Sequence, residues 1–199
     1  MSKHMFHWAA LMLALAGCKS GGWSVSDEVL ALGQDTRIGG EFVIEVDEEG
    51  EVVSADTQVE LARVPKAVMA AADKAVPGPA VDAEIEIALG VRYWEVEKQV
   101  EGRTVELVLT EDGELVGKEE ELPSAKWPKQ VVEAANKAVP QGQITTVEWI
   151  EGPEALGGKE YHVKKDVGGE LVRISVLEDG RIGRLVRKIK AEFKAPYKR

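Results

Sequence analysis

Apolar residues recur along this chain with two different periods. From Val64 to Pro77, and again from Trp127 to Pro140, Val and Ala return at helical spacing. Each stretch therefore predicts a short helix with one apolar stripe. Pro65 and Pro128 fall at the first helical position, where a missing N–H costs nothing. Pro77 and Pro140 end the helices. Elsewhere the period is two. Asp82-Ala83-Glu84-Ile85-Glu86-Ile87 alternates acid with apolar residue, which predicts a strand with one wet face and one buried face. Similar runs predict strands near 83–89, 93–100, 104–110 and 114–120, then near 144–150, 160–167, 171–177 and 181–190. Asp-Gly at 112–113 and at 179–180 suits tight hairpin turns.

The two halves of that pattern are copies. Val64-Pro65-Lys66-Ala67-Val68 aligns without gaps on Trp127-Pro128-Lys129-Gln130-Val131, 63 positions later. Downstream, Trp94-Glu95-Val96-Glu97 aligns on Tyr161-His162-Val163-Lys164 at an offset of 67. The second copy thus holds four extra residues, which we place in a loop near Pro153–Gly158. Phe42 to Val53 reads as a third, partial copy: strand, acidic-Gly turn, strand. The expected fold is α+β: two tandem units, each one helix packed on a four-stranded antiparallel meander, preceded by an extra hairpin. Expected boundaries are a hairpin at 41–61, a first unit at 62–122, a second at 123–194 and a basic tail at 195–199.

Charge narrows the function. The net charge is -10 over 199 residues. Between Lys165 and Arg199 there are ten Lys/Arg against five Asp/Glu, so the rest of the chain is more acidic still. Such a body repels phosphate and excludes a general nucleic-acid binder. The single Cys, Cys18, excludes an internal disulfide and a Cys metal site.

Lys3 and the apolar run Trp8 to Ala16 form an h-region too short to span a bilayer. Leu15-Ala16-Gly17-Cys18 follows and resembles a bacterial lipobox. The resemblance implies cleavage of a 1–17 lipoprotein signal peptide, acylation of Cys18 (diacylglycerol, then a further chain such as palmitate), and a membrane anchor without a spanning helix. Lys19 rather than Asp after the Cys implies the outer membrane in a two-membrane host. Residues 18–40 read as a tether, with a short helix expected around Asp27–Leu32.

The order of motifs resembles PepSY-like domains. The matching residues are Trp94-Glu95-Val96-Glu97, Gly102, Val105-Glu106-Leu107 and Glu111-Asp112-Gly113. The second copy supplies Tyr161-His162-Val163-Lys164, Gly169, Val172-Arg173-Ile174 and Glu178-Asp179-Gly180. The tandem arrangement also resembles β-lactamase inhibitor proteins. The resemblance covers about 64–193 and implies a non-catalytic module that binds or restrains envelope or secreted proteins, peptidases among them. It carries over no catalytic residue.

Direct tests for chemistry agree. After cleavage His162 is the one histidine left; alone it supplies neither a catalytic base with partners nor a zinc site. No Gly-rich phosphate loop opens a helix. The acidic runs Asp47–Glu51, Glu111–Glu114 and Glu119–Glu121 lack EF-hand spacing and read as turn chemistry. No cofactor and no metal are expected. Trp149, at the end of a strand, is the candidate anchor for a protein partner if it lies on a concave sheet face. Alternatives to the binding or inhibitory module are a structural or sensor lipoprotein and a small-ligand or calcium-binding lipoprotein.

Overall fold

A computed structural model of the chain describes residues 27–46, 52–88, 90–152, 155 and 159–187. The expected signal peptide with Leu15, Ala16, Gly17 and Cys18, the expected turn at 47–51, most of the expected 153–158 loop and the expected basic tail at 195–199 lie outside the described residues. The helices are α1 (Asp27–Gln34), α2 (Lys66–Ala75) and α3 (Lys129–Ala138). The strands are β1 (Phe42–Val46), β2 (Val52–Gln58), β3 (Ala80–Ala88), β4 (Val91–Val100), β5 (Arg103–Leu109), β6 (Leu115–Glu121), β7 (Gln143–Glu151), β8 (Lys159–Val167), β9 (Glu170–Leu177) and β10 (Ile182–Arg187).

Pro65 and Pro128 sit one residue earlier than expected, in extended conformation just before the helices. Their carbonyls take the first helical bonds, from Met69 N–H at 3.0 Å and Val132 N–H at 3.1 Å. A proline is tolerated there because no helical bond needs its nitrogen. The β4–β5 turn places Glu101 at φ 51 and Gly102 at φ 78, where the second copy has Gly168 and Gly169 at φ 67 and 90. Both positions need left-handed backbone, as two-residue hairpins of this hand require.

The expected α+β pair of helix-plus-meander units does not form. The fold is mostly sheet: ten strands in chain order β1 to β10, all antiparallel, curled into a half-barrel with three short helices on its outer side. Across the junction of the two copies β6 pairs with β7, from Lys118↔Glu151 to Glu121↔Glu148. The leading hairpin likewise joins through β2 and β3, from Ser54↔Ala88 to Gln58↔Glu84. Separate meanders would leave edges of unpaired N–H and C=O groups at each junction. Pairing them edge to edge satisfies those groups and merges every unit into one ladder.

The hydrophobic core keeps the imprint of the duplication. Under α1 and α2, Val29, Leu32, Val68 and Ala72 pack on Ile85, Trp94, Val96 and Leu107. Under α3, Val131 and Ala135 pack on Val147, Val163, Ile174 and Val176. In α2 and α3 the buried pair is spaced i, i+4, one stripe of one helix face. Trp94 lies in the core, and Trp127 is half-buried with its indole N–H donating to Leu122 O at 2.9 Å.

Each core also buries a lysine. Lys98 and Lys165, equivalent in the two copies, are fully buried on the helix-bearing face. Lys98 Nζ bonds Asp73 of α2 and the Gly78 carbonyl at 2.7 Å. Lys165 Nζ bonds the equivalent Asn136 of α3 at 2.8 Å and the Val139 carbonyl at 2.6 Å. Each ammonium thus ties a helix C-terminus to the sheet, where carbonyls favour a cation. Lys165 has no carboxylate among these partners, and burial pulls its pKa below the ordinary lysine value. Asn136→Asp should supply the counter-charge that Lys98 already has. The expected gain is about 0.5–1 kcal/mol, because a charge-assisted bond replaces a neutral one at a partly wet site. A rise in the urea midpoint with unchanged m at pH 7 is the readout; an unchanged midpoint contradicts it.

Candidate functional site

Helices cover only the outer side of the half-barrel, so strand alternation sends the other half of every strand inward. Those inward positions are mostly acidic. They include Glu45 on β1, Glu84 and Glu86 on β3, Glu95 and Glu97 on β4, Glu106 on β5, Glu119 and Glu121 on β6, Glu148 on β7 and Glu160 on β8, as the ladder registers place them. His162 and Lys164 on β8, and Arg173 and Ser175 on β9, share that face. The curl closes across the open side through Glu45, which accepts from Arg173 at 2.5 Å and from Arg184 of β10 at 3.0 Å. First and last strands are thereby joined by side chains. Their backbones are not paired.

Curling turns a nominally wet face into an interior. Glu86, Glu160, His162 and Ser175 are all buried. His162 Nε2 lies 2.7 Å from Glu160 Oε1, with the two side chains 4% and 2% exposed. His162 Nδ1 points the other way, 3.9 Å from Glu119 Oε1. Glu148 Oε1 accepts from Lys164 at 2.6 Å, while Glu148 Oε2 is buried with no hydrogen-bond partner among the described residues. Beside this group opens a cleft of about 140 Å³, lined by Glu97, Thr104, Glu106, Glu119, Glu121, Glu148 and Lys164.

The electrostatics follow from crowding. Burial pushes the Glu106 pKa well above the ordinary carboxylate value; the charges of Glu119, Glu84 and Glu148 push it further, and Lys164 opposes them. Burial also raises Glu84, against hydrogen bonds from Gln58 and Asp56, with Asp82 and Glu97 adding to the rise. Glu97 is raised by burial and by Asp82. For Lys164 burial works against the charge, yet Glu148, Glu119 and Glu106 outweigh it and hold the pKa above its ordinary value.

The candidates read from sequence fall in different places. Cys18 and its lipobox lie outside the described residues. Trp149 lies on the outer face: Val147, two residues before it, is in the α3 core, and its ladder partner Tyr161 packs there too. Its ring is half-buried, with Lys159 Nζ 5.2 Å from the ring centroid. Of the run Glu119–Glu121, Glu119 and Glu121 turn inward. Glu120 turns outward, to Arg103 and to Lys118, the latter at 2.7 Å. His162, taken alone from the sequence, is joined in space by Glu119, Glu148 and Glu160. Their alternation with apolar residues was visible in the chain, but it reads as a solvent face until the sheet curls.

No family model matches the chain, and no curated protein matches it significantly. Among solved structures, it shares its fold with a protein described as periplasmic from Bacteroides eggerthii DSM 20697, at TM-score 0.50 and 18% identity, covering 62% of this chain and 88% of that one. Two further likenesses are a DUF2874 family protein from Bacteroides uniformis ATCC 8492 (TM-score 0.49, 17% identity, 62% of this chain and 88% of that one), and a BLIP-like protein from Bacteroides fragilis NCTC 9343 (TM-score 0.47, 22% identity, 66% and 91%).

The raised carboxyls set the direction of a pH effect. Folding lifts their pKa, so the folded chain holds protons that the unfolded chain has released. Stability from this source is full below the ordinary carboxylate range and is lost as pH rises through the lifted values. Glu84→Gln keeps the shape and removes one such charge. Between pH 5 and pH 8 its Tm should fall by less than that of the wild-type chain. An equal fall in both proteins contradicts the assignment.

Proposed function

We propose that this chain is a non-catalytic protein-binding module of the bacterial cell envelope, held at the membrane by acyl groups on Cys18. The partner is an envelope or secreted protein, peptidases among the candidate classes. The lipobox residues support the anchor, and the PepSY-like motifs support the binding role. The structural neighbour described as periplasmic fits that compartment. Lys19 after the acylated Cys favours the outer membrane.

The observation that carries the reading is the edge of the sheet. β10 ends the strand order, and no described strand pairs with its outer side. It exposes Ile182 and Leu185, 41% and 52% accessible. An exposed apolar edge is a template for another chain, and natural edges are usually blunted against that. An extended segment of a partner adds to β10 as an eleventh strand: backbone bonds give affinity and alternate side chains give selectivity. Restraint of the partner would then be steric. A peptide held as a strand is removed from any other cleft.

Two outcomes check this. Cys18→Ser should move the protein from the membrane fraction to the soluble fraction and abolish palmitate labelling; a labelled, membrane-bound variant refutes the anchor. Separately, envelope extract passed over the immobilised protein should yield a specific partner that Leu185→Lys no longer retains. That substitution is at the surface, so the folding free energy should stay within about 0.5 kcal/mol. Retention of the same partner by the folded variant refutes docking at β10.

A further inference from the structure

The inner face holds a group of side chains that edge docking does not use. Glu119 on β6, Glu148 on β7 and His162 on β8 each offer a ligand atom, all within 4.8 Å of one another. Among the described residues no other such group of three occurs. We propose that these three residues bind a divalent first-row transition cation such as zinc, bridging the first repeat to the second.

Four features separate this from a chance acidic cluster. The first is His162 itself, buried at 4% exposure with its Nε2 on Glu160. With Nε2 engaged by Glu160, Nδ1 is the ring nitrogen that faces Glu119, 3.9 Å away. A carboxylate behind a histidine is the usual outer partner of a metal-bound imidazole. The second is the buried Glu148 Oε2, without a hydrogen-bond partner among the described residues. A buried carboxylate oxygen left unpaired is costly, and a cation at this point satisfies it. The third is access: the cleft of about 140 Å³ touches Glu119 and Glu148 and leaves room for water in the remaining coordination positions. The fourth is charge. Lys164 is bonded to Glu148, and the carboxyls of Glu119 and Glu121 line the same cleft.

The donor set chooses the ion. One imidazole nitrogen with two carboxylates suits zinc, manganese or iron(II), whereas calcium and magnesium prefer oxygen alone. His162 Nδ1 and Glu119 Oε1 are 3.9 Å apart, so a small side-chain adjustment brings both to the roughly 2.0–2.2 Å bonds of zinc. Glu119 belongs to the first copy, Glu148 and His162 to the second. A bound ion therefore crosses the β6–β7 seam and staples it.

The test uses the full chain, stripped with EDTA and titrated with zinc chloride by calorimetry and by thermal unfolding. Wild-type protein should show saturable uptake and a raised Tm, with no comparable shift from calcium chloride. Glu119→Gln and Glu148→Gln should each weaken that uptake at least tenfold. No saturable uptake by the wild type overturns the proposal, as does equal uptake by wild type and both variants. Nitrogen NMR of the wild-type chain covers variants that do not fold. Zinc should shift the His162 Nδ1 resonance and leave Nε2 protonated; an unmoved Nδ1 at saturation overturns the site. This result is independent of docking at β10, since neither measurement involves a partner.

Discussion

The constraint on which this molecule depends is the crowding of carboxylates on the inner face of a curled sheet. Two like charges 4 Å apart repel by about 4 kcal/mol at an effective dielectric of 20. Left alone, such repulsion would flatten the sheet and expose the face to water. The fold opposes it with cations brought from distant strands: Arg173 and Arg184 on Glu45, Lys164 on Glu148, Arg37 on Asp82. Burial and neighbouring carboxylates lift the pKa values of Glu106 and Glu84, so these two hold protons to higher pH than exposed carboxyls do. The ion pairs from β1 to β9 and β10 bridge the two ends of the curled sheet, and the curl decides which residues meet inside.

The outer face obeys a simpler rule. Helices cover it in two patches, and each patch repeats the same solution: an i, i+4 pair of Val and Ala over the sheet, and a buried lysine under the helix C-terminus. The buried apolar residues form two clusters, one under α1 and α2 and one under α3, whereas the hydrogen-bonded ladder runs through all ten described strands. Packing is local because side chains reach only their neighbours. Backbone pairing propagates because every strand edge seeks another.

A fold of this kind separates two uses of its surface. The edge strand β10 exposes Ile182 and Leu185 beside Arg184 and Arg187, and no described strand pairs with its outer side. The interior is anionic and narrow, suited to a cation. The interior group also sits on the seam between the copies, so occupancy there bears on how firmly the halves are held, and the edge lies three strands away from β7 along the same ladder.

Much was legible in the chain because local pattern determined it. Period two placed strands near 83–89 and 93–100, against Ala80–Ala88 and Val91–Val100 observed, and Pro, Val and Ala spacing placed α2 and α3 within a residue of their observed starts. Asp-Gly at 112–113 and 179–180 marked turns, and the apolar positions Val68, Val96, Val131 and Val163 went to the core as alternation required. The resemblance of Leu15-Ala16-Gly17-Cys18 to a lipobox is a statement of sequence alone. What tertiary structure decided was the fate of the polar positions. Glu119, Glu148, Glu160 and His162 alternate with buried residues exactly as solvent-facing residues would, and nothing local distinguishes a face that meets water from one that curls onto itself. The difference lies in contacts between residues as distant as Glu45 and Arg184, and in β6 pairing with β7, which joined two expected units into one sheet. Alternation is set by the strand itself; curvature and edge pairing are set by the whole sheet, and only they bring a histidine and three carboxylates into one buried place.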